Sequence, residues 1–251
     1  MPLIAIPWID TNTPFPPVEM ALSNGLVAAG GDLSTARLLN AYSHGIFPWY
    51  NEGEPILWWC PDPRTVLRCD QFKLSKSLAK TCRQIARTEF SAESRFKVTT
   101  NQAFLQVIQC CAQTRQHKEG TWISTDIIHA YYNLHLAQHA HSIEVWQGPR
   151  LVGGLYGVRL GQFFFGESMF SLVSDASKIA LYYLTRYLIA EHQIHYIDCQ
   201  QETPHLLSLG AQPIPRTEFS TLLTKLTSAN TFPWGSGQLC AQGRLHPLAP
   251  V

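Results

Sequence analysis

Glu167 interrupts the apolar run Phe163-Phe164-Phe165-Gly166-Glu167-Ser168-Met169-Phe170. A carboxylate in such surroundings is expensive to bury unless a cation or a set of donors meets it. A site that uses the acid accounts for it, and so does a plain pairing with a structural Arg or Lys. A second polar interruption, Ile197-Asp198-Cys199-Gln200, closes a strand-like run. Residues two apart on a strand share a face, so Asp198 and Gln200 are expected to project together, a carboxylate beside an amide. A strand end at which Asp198 bonds a nearby turn explains the same residues.

Trp49, Trp58, Trp59, Trp122 and Trp146 mostly stand beside Gly, Pro or polar residues. Flat side chains in irregular segments suit stacking on nucleic-acid bases, at roughly 1–3 kcal/mol each in single-strand binders. They equally suit packing in a small domain. Basic residues gather between positions 73 and 97, including Lys76, Lys80, Arg83 and Arg87, with few acids among them. On a near-neutral chain this is the candidate phosphate-binding strip, although a solvated helix face has the same composition.

Two patterns are set aside. His135 and His139 have the spacing of a helical metal pair, but Leu136 occupies the position where a zinc peptidase carries Glu. Gly153-Gly154 with Gly157 matches neither a dinucleotide nor a P-loop fingerprint. No cofactor and no metal are expected.

The elements that must hold these residues divide into two textures. Positions 1–64 are dense in Pro, Gly and Trp, which punctuate long elements, so short strands and turns around one helix near residues 34–44 are expected. This predicts a small N-terminal α/β domain. From residue 65 the segments lengthen. Helical periodicity runs over 101–114 and 125–138, the latter placing Ile127, Tyr131 and Leu134 on one face. Strand-like runs follow at 141–146, 151–158, 162–170 and 194–199, with a helix over 174–191 capped by Ser174 or Asp175. Three strands, a helix and a further strand predict an α+β fold whose larger domain, 65–251, has a mixed sheet of N-acetyltransferase-like (GNAT-related) order. Residues from about 228 to 251 lack periodicity and are expected to form an irregular tail.

With 251 residues there is ample material for a buried core. Nineteen Lys+Arg against eighteen Asp+Glu give a net charge of +1, so any nucleic acid must meet a local basic patch. The seven cysteines are odd in number and no two form a C-x-x-C pair, which argues for free thiols and against a structural zinc site. The opening Met1-Pro2-Leu3-Ile4-Ala5-Ile6-Pro7 lacks a basic leader region, and no apolar run reaches bilayer-spanning length. A cytoplasmic protein with no membrane partner is expected.

Several ordered motifs resemble those of the leucyl/phenylalanyl-tRNA-protein transferase family. They include Gly30-Gly31-Asp32-Leu33, Gly45-Ile46-Phe47-Pro48-Trp49-Tyr50, Trp58-Trp59-Cys60-Pro61-Asp62-Pro63-Arg64, Gly120-Thr121-Trp122-Ile123, Gly166-Glu167-Ser168-Met169-Phe170-Ser171 and Ile197-Asp198-Cys199-Gln200. The resemblance implies an aminoacyltransferase that moves Leu or Phe, and less well Met, from aminoacyl-tRNA to the N-terminal α-amine of proteins beginning with Arg or Lys, marking them for degradation. By the same resemblance Trp49 and Trp122 sandwich the terminal adenosine of the tRNA. Leu155, Phe164, Gly166, Met169, Leu184 and Ile197 line the aminoacyl side-chain pocket, and Gln200, Asp198 and Glu167 form the catalytic polar end. Lys76, Lys80, Arg83 and Arg87 are candidates for tRNA backbone contacts.

Two rival readings differ in class. The sheet order alone fits an acetyl-CoA-dependent acyltransferase, but no Arg/Gln-x-x-Gly-x-Gly/Ala loop for the CoA pyrophosphate is present. A non-enzymatic adaptor for RNA or N-terminal peptides would use the tryptophans and the acids, yet leaves the apolar pocket residues without a purpose.

Overall fold

The computed structural model describes residues 6–91, 93–116, 122–230 and 232–248. Most of the opening segment considered for a leader, and Gly120-Thr121 of the tryptophan motif, lie outside the described residues. Two sheets organise the chain. The smaller has the order β1-β2-β4-β3, built from β1 (Trp8–Ile9), β2 (Leu26–Gly30), β3 (Phe47–Pro48) and β4 (Leu57–Trp59). The helix packed with it, α1 (Thr35–Ser43), starts where Ser34 accepts a hydrogen bond from the Arg37 amide. Such a cap satisfies an otherwise orphaned backbone donor.

The larger sheet contains β5 (Arg64–Arg68), β6 (Lys97–Thr100), β7 (Ala140–Gln147), β8 (Arg150–Leu160), β9 (Phe163–Ser171), β10 (Tyr196–Gln200), β11 (Gln212–Ile214), β12 (Gly237–Leu239) and β13 (Leu245–His246). Their order is β11-β5-β10-β9-β8-β7-β6-β12-β13. All neighbours are antiparallel except β9 and β10, which run parallel because α5 (Ala176–His192) carries the chain across between them. The expected three strands, helix and strand are therefore present, and the fold is α+β. Asp175 does stand at the N-cap of α5, but in a left-handed conformation with no capping bond, and its carboxylate meets Lys178 Nζ at 3.0 Å instead.

Helices cover both faces. On one side α5 and α2 (Lys76–Thr88) bury Leu78, Ile85, Ala180, Leu184 and Leu188 against Leu155, Phe164 and Ile197. On the other, α1, α3 (Phe104–Gln116), α4 (Thr125–Leu136) and, after the short α6 (Pro204–Ser208), α7 (Arg216–Thr227) pack Tyr42, Val107, Tyr131 and Phe219 against Tyr156, Phe163 and Phe165. The stretch from 228 onward departs from the expected irregular tail. It supplies β12 and β13 at the sheet edge and buries Trp234 and Leu239 in the core, because tertiary packing, not local periodicity, holds these short pieces. Among the described residues no helix is long and apolar enough to cross a membrane.

Candidate active site

Two β-bulges frame the site. Between β8 and β9 the register passes from Gly157↔Gly166 to Tyr156↔Ser168, leaving Glu167 as the extra residue. Between β5 and β10 it passes from Val66↔Asp198 to Thr65↔Gln200, leaving Cys199 extra, and Gln200 takes up φ 62°. Bulges kink a strand and re-aim its side chains. The parallel pairing of β9 and β10 ends at Phe165↔Asp198. Residues 166–169 and 199–201, just past that point, line a cavity of about 410 Å³.

This bulge overturns the expectation that Asp198 and Gln200 share a face. Gln200 lines the cavity together with Ile197 and Cys199, whereas Asp198 does not. Asp198 instead receives Arg64 Nε at 2.8 Å and Arg64 Nη2 at 2.6 Å, and both side chains are wholly buried. The Arg64 guanidinium lies between the rings of Phe47 and Phe219, at 4.8 and 4.6 Å from their centroids. Towards the cavity, Asp198 is linked through the Gln200 backbone amide, which donates to Asp198 Oδ1 at 2.9 Å. A cation does meet a buried carboxylate here, but at Asp198 and not at Glu167.

Glu167 is met by neutral donors. Tyr42 Oη donates to its Oε1 at 2.7 Å, Tyr131 Oη to its Oε2 at 3.0 Å, and Gln200 Nε2 to its Oε1 at 3.0 Å. The two tyrosine hydroxyls also lie in hydrogen-bond contact with each other. With Glu167 ionised, three hydrogens serve these four contacts, and a proton on the carboxyl would supply the fourth. Burial pushes the Glu167 carboxyl up to about 7, opposed in part by the bonds from Tyr42 and Tyr131. Burial, and then the neighbouring Glu167, hold both tyrosines well above their ordinary value, so they remain donors. Tyr42 is delivered by α1 and Tyr131 by α4, whose N-cap Ser124 accepts from the Ile127 amide. Tyr131 was legible in the sequence as a helix-face residue, Tyr42 was not singled out, and nothing in their spacing signals that they meet one carboxylate.

The same cavity has apolar lining: Leu155, Phe164, Gly166, Met169, Leu184 and Ile197 all line it, as do Glu167, Trp49 and Trp122. Trp49 is 40 % exposed at the rim, edge-on to Trp59 with centroids 5.6 Å apart. Trp59 Nε1 donates to the Trp49 carbonyl at 2.6 Å, which fixes the backbone beneath the exposed indole. Lys76, Lys80, Arg83 and Arg87 are exposed on α2, and none of them reaches the cavity. His135 and His139 do not pair on a helix: α4 ends at Leu136, and His135 Nδ1 lies 2.9 Å from the Ala140 carbonyl. Among the described residues no group of three or more His, Cys, Asp or Glu is placed to hold a metal ion.

Family models match most of this architecture, leaving out β1, β2, β12 and β13. Residues 66–224 fit the leucyl/phenylalanyl-tRNA protein transferase model, and residues 31–62 fit the N-terminal domain of the same family. A leucyl/phenylalanyl-tRNA–protein transferase of Bordetella bronchiseptica is 52 % identical over 248 residues, covering 98 % of this chain and 97 % of that protein. One from Bordetella petrii is 53 % identical with the same coverage, and one from Nitrosomonas eutropha is 54 % identical over 86 % of this chain and 89 % of its own. A solved protein of unknown function from Bacteroides thetaiotaomicron superposes with a TM-score of 0.40 at 12 % identity, over 67 % of this chain and 57 % of that one, too low to define a fold relationship. The protein is an aminoacyltransferase. The chain belongs to the leucyl/phenylalanyl-tRNA-protein transferase family.

Proposed function

We propose that this chain transfers leucine or phenylalanine, and less well methionine, from aminoacyl-tRNA to the N-terminal α-amine of proteins beginning with Arg or Lys, marking them for degradation. One observation carries the reading: the apolar wall and the Gln200–Glu167 couple open onto a single cavity whose lining also includes Trp49 and Trp122. An ester carbonyl and a free amine need such a common space. The order β7-β8-β9-α5-β10, with its parallel pair parting at the cavity, also supports a relation to the N-acetyltransferase fold.

In this reading Trp49 and Trp122 stack on the terminal adenosine and direct the aminoacyl ester inward. The side chain enters among Leu155, Phe164, Gly166, Met169, Leu184 and Ile197. Apolar walls reward a bulky side chain, while a wrong methylene costs only about 1–3 kcal/mol, so selectivity is good without being absolute. The exposed Lys76, Lys80, Arg83 and Arg87 meet the tRNA backbone further out.

The acceptor amine has an ordinary pKa of about 7.7–8.0, which leaves part of it neutral near pH 7. Ionised Glu167 can only accept, so it holds the Gln200 NH₂ and leaves the amide oxygen free for the amine. The amine nitrogen bonds to the ester carbonyl carbon, the ester C–O bond breaks, and the ribose oxygen leaves with the proton that the amine gives up. Gln200 orients the amine as that proton becomes acidic. Asp198 acts as a positioning residue, holding the Gln200 backbone from below.

Glu167 is the one acidic residue that the described cavity lining contains, so it is the group that favours a cationic first side chain on the acceptor. The test is direct. Purified protein, radiolabelled Leu-tRNA and a peptide beginning with Arg should yield labelled peptide, whereas an Ala-initiated peptide should react far more slowly. No label on the Arg peptide would sink the reading, and equal preference in the wild type and in Glu167→Gln would remove the role given to this acid.

A further inference from the structure

We propose that Trp234, which lies beyond α7 and outside both stretches matched by the family models, sets the depth of the side-chain pocket by backing Phe164. The inference rests on the pocket reading above.

Phe164 is a fully buried wall of the cavity. Beneath its ring lies Gly157, where a Cβ would come within 2.5 and 2.7 Å of two Phe164 ring carbons. Only a residue without a side chain lets the ring lie this close to the strand. Trp234 takes up another side, with ring centroids 5.8 Å apart and planes inclined by 28°.

The indole is itself clamped. His141 stacks on it at 4.1 Å and 3°, His192 at 4.7 Å and 15°, and Tyr187 meets it edge-on at 5.1 Å. Trp234 Nε1 donates to Thr100 Oγ1 at 2.8 Å, which fixes the rotation of the ring. His141 Nε2 and both ring nitrogens of His192 are buried without a hydrogen-bond partner among the described residues, so the imidazoles serve here as flat surfaces. Burial, with Arg159 nearby, holds both below their ordinary value, His192 down to about 4, which keeps them uncharged beside the indole. Phe164 therefore rests against a stack of rings with no slack of its own. Shortening Trp234 opens space behind Phe164, and a core wall relaxes part of the way into such space. The pocket then deepens, and larger aminoacyl side chains gain over smaller ones.

The experiment compares kcat/KM for Leu-tRNA, Phe-tRNA and tRNA mischarged with tryptophan, using wild type, Trp234→Leu and Phe164→Ala, with circular dichroism and thermal unfolding to verify folding. For Trp234→Leu the Phe/Leu ratio should rise about tenfold, the lower end of what a reshaped apolar pocket yields, and tryptophan transfer should become measurable. An unchanged ratio in the folded variant overturns the proposal. If Phe164→Ala shifts the ratio and Trp234→Leu does not, this inference alone fails; if Phe164→Ala leaves it unmoved, the pocket reading itself fails. Should Trp234→Leu not fold, Trp234→Phe carries the test, with a smaller shift in the same direction expected and an unmoved ratio again overturning it.

Discussion

Arg64 holds Asp198 by two hydrogen bonds of 2.8 and 2.6 Å, in a pair that solvent does not reach. The pair joins the first strand of the large sheet to β10 two residues before Gln200, so the cavity's polar end is anchored on a buried ion pair. Removing one partner strands the other without compensation. Arg64→Met should destabilise the fold by about 3–5 kcal/mol, read from urea unfolding at pH 7. A loss under 1 kcal/mol would mean that the pair contributes little to holding β5 on β10.

Glu167 titrates near 7 in the folded chain against an ordinary value of 4.5. The folded state therefore holds more protons than the unfolded state between those values. Its contribution to stability is complete below about 4.5 and is lost as pH rises through 7. Unfolding free energies of wild type and Glu167→Gln, measured from pH 5 to pH 8, should diverge accordingly, with the wild type losing more stability over that span. Parallel curves would show that Glu167 is not the group responsible.

The same carboxylate links pH to the bonding of Gln200. As pH falls through 7 Glu167 gains a proton, and its hold on the Gln200 NH₂ weakens. Tyr131→Phe removes a donor to the ionised form, so the carboxyl should titrate higher still. Carbon-13 NMR of labelled glutamate should show the Glu167 midpoint moving upward in Tyr131→Phe. A midpoint that stays or falls would contradict the bonding scheme drawn around it.

Trp49 and Trp122 line the same cavity from different segments. If each stacks on the terminal adenosine, alanine at either position should remove roughly 1–3 kcal/mol of binding, raising the KM for Leu-tRNA by about fivefold or more. The KM for the acceptor peptide should change far less. Were Trp49→Ala and Trp122→Ala both to leave the tRNA KM alone, stacking would be the wrong role for them.

The capped helix over Thr35–Ser43, the three strands from Ala140 to Ser171, α5 and β10 were all legible in the sequence, because hydrophobic period and capping residues act locally. The short helix Pro204–Ser208 and the edge strands after Ser228 were not, since short segments draw their stability from what they pack against.

The sequence by itself determined the family and the fact that the carboxylates Glu167 and Asp198 are costly where they stand, because residue type and order record burial and chemistry. Only the tertiary structure decided which partner meets which acid. Two bulges broke the period-two rule, sent Asp198 to Arg64 on the far side of β10, and turned Gln200 towards Glu167. Tyr42 and Tyr131, 89 residues apart, meet one carboxylate because α1 and α4 pack on the same sheet face, a contact that no local pattern encodes.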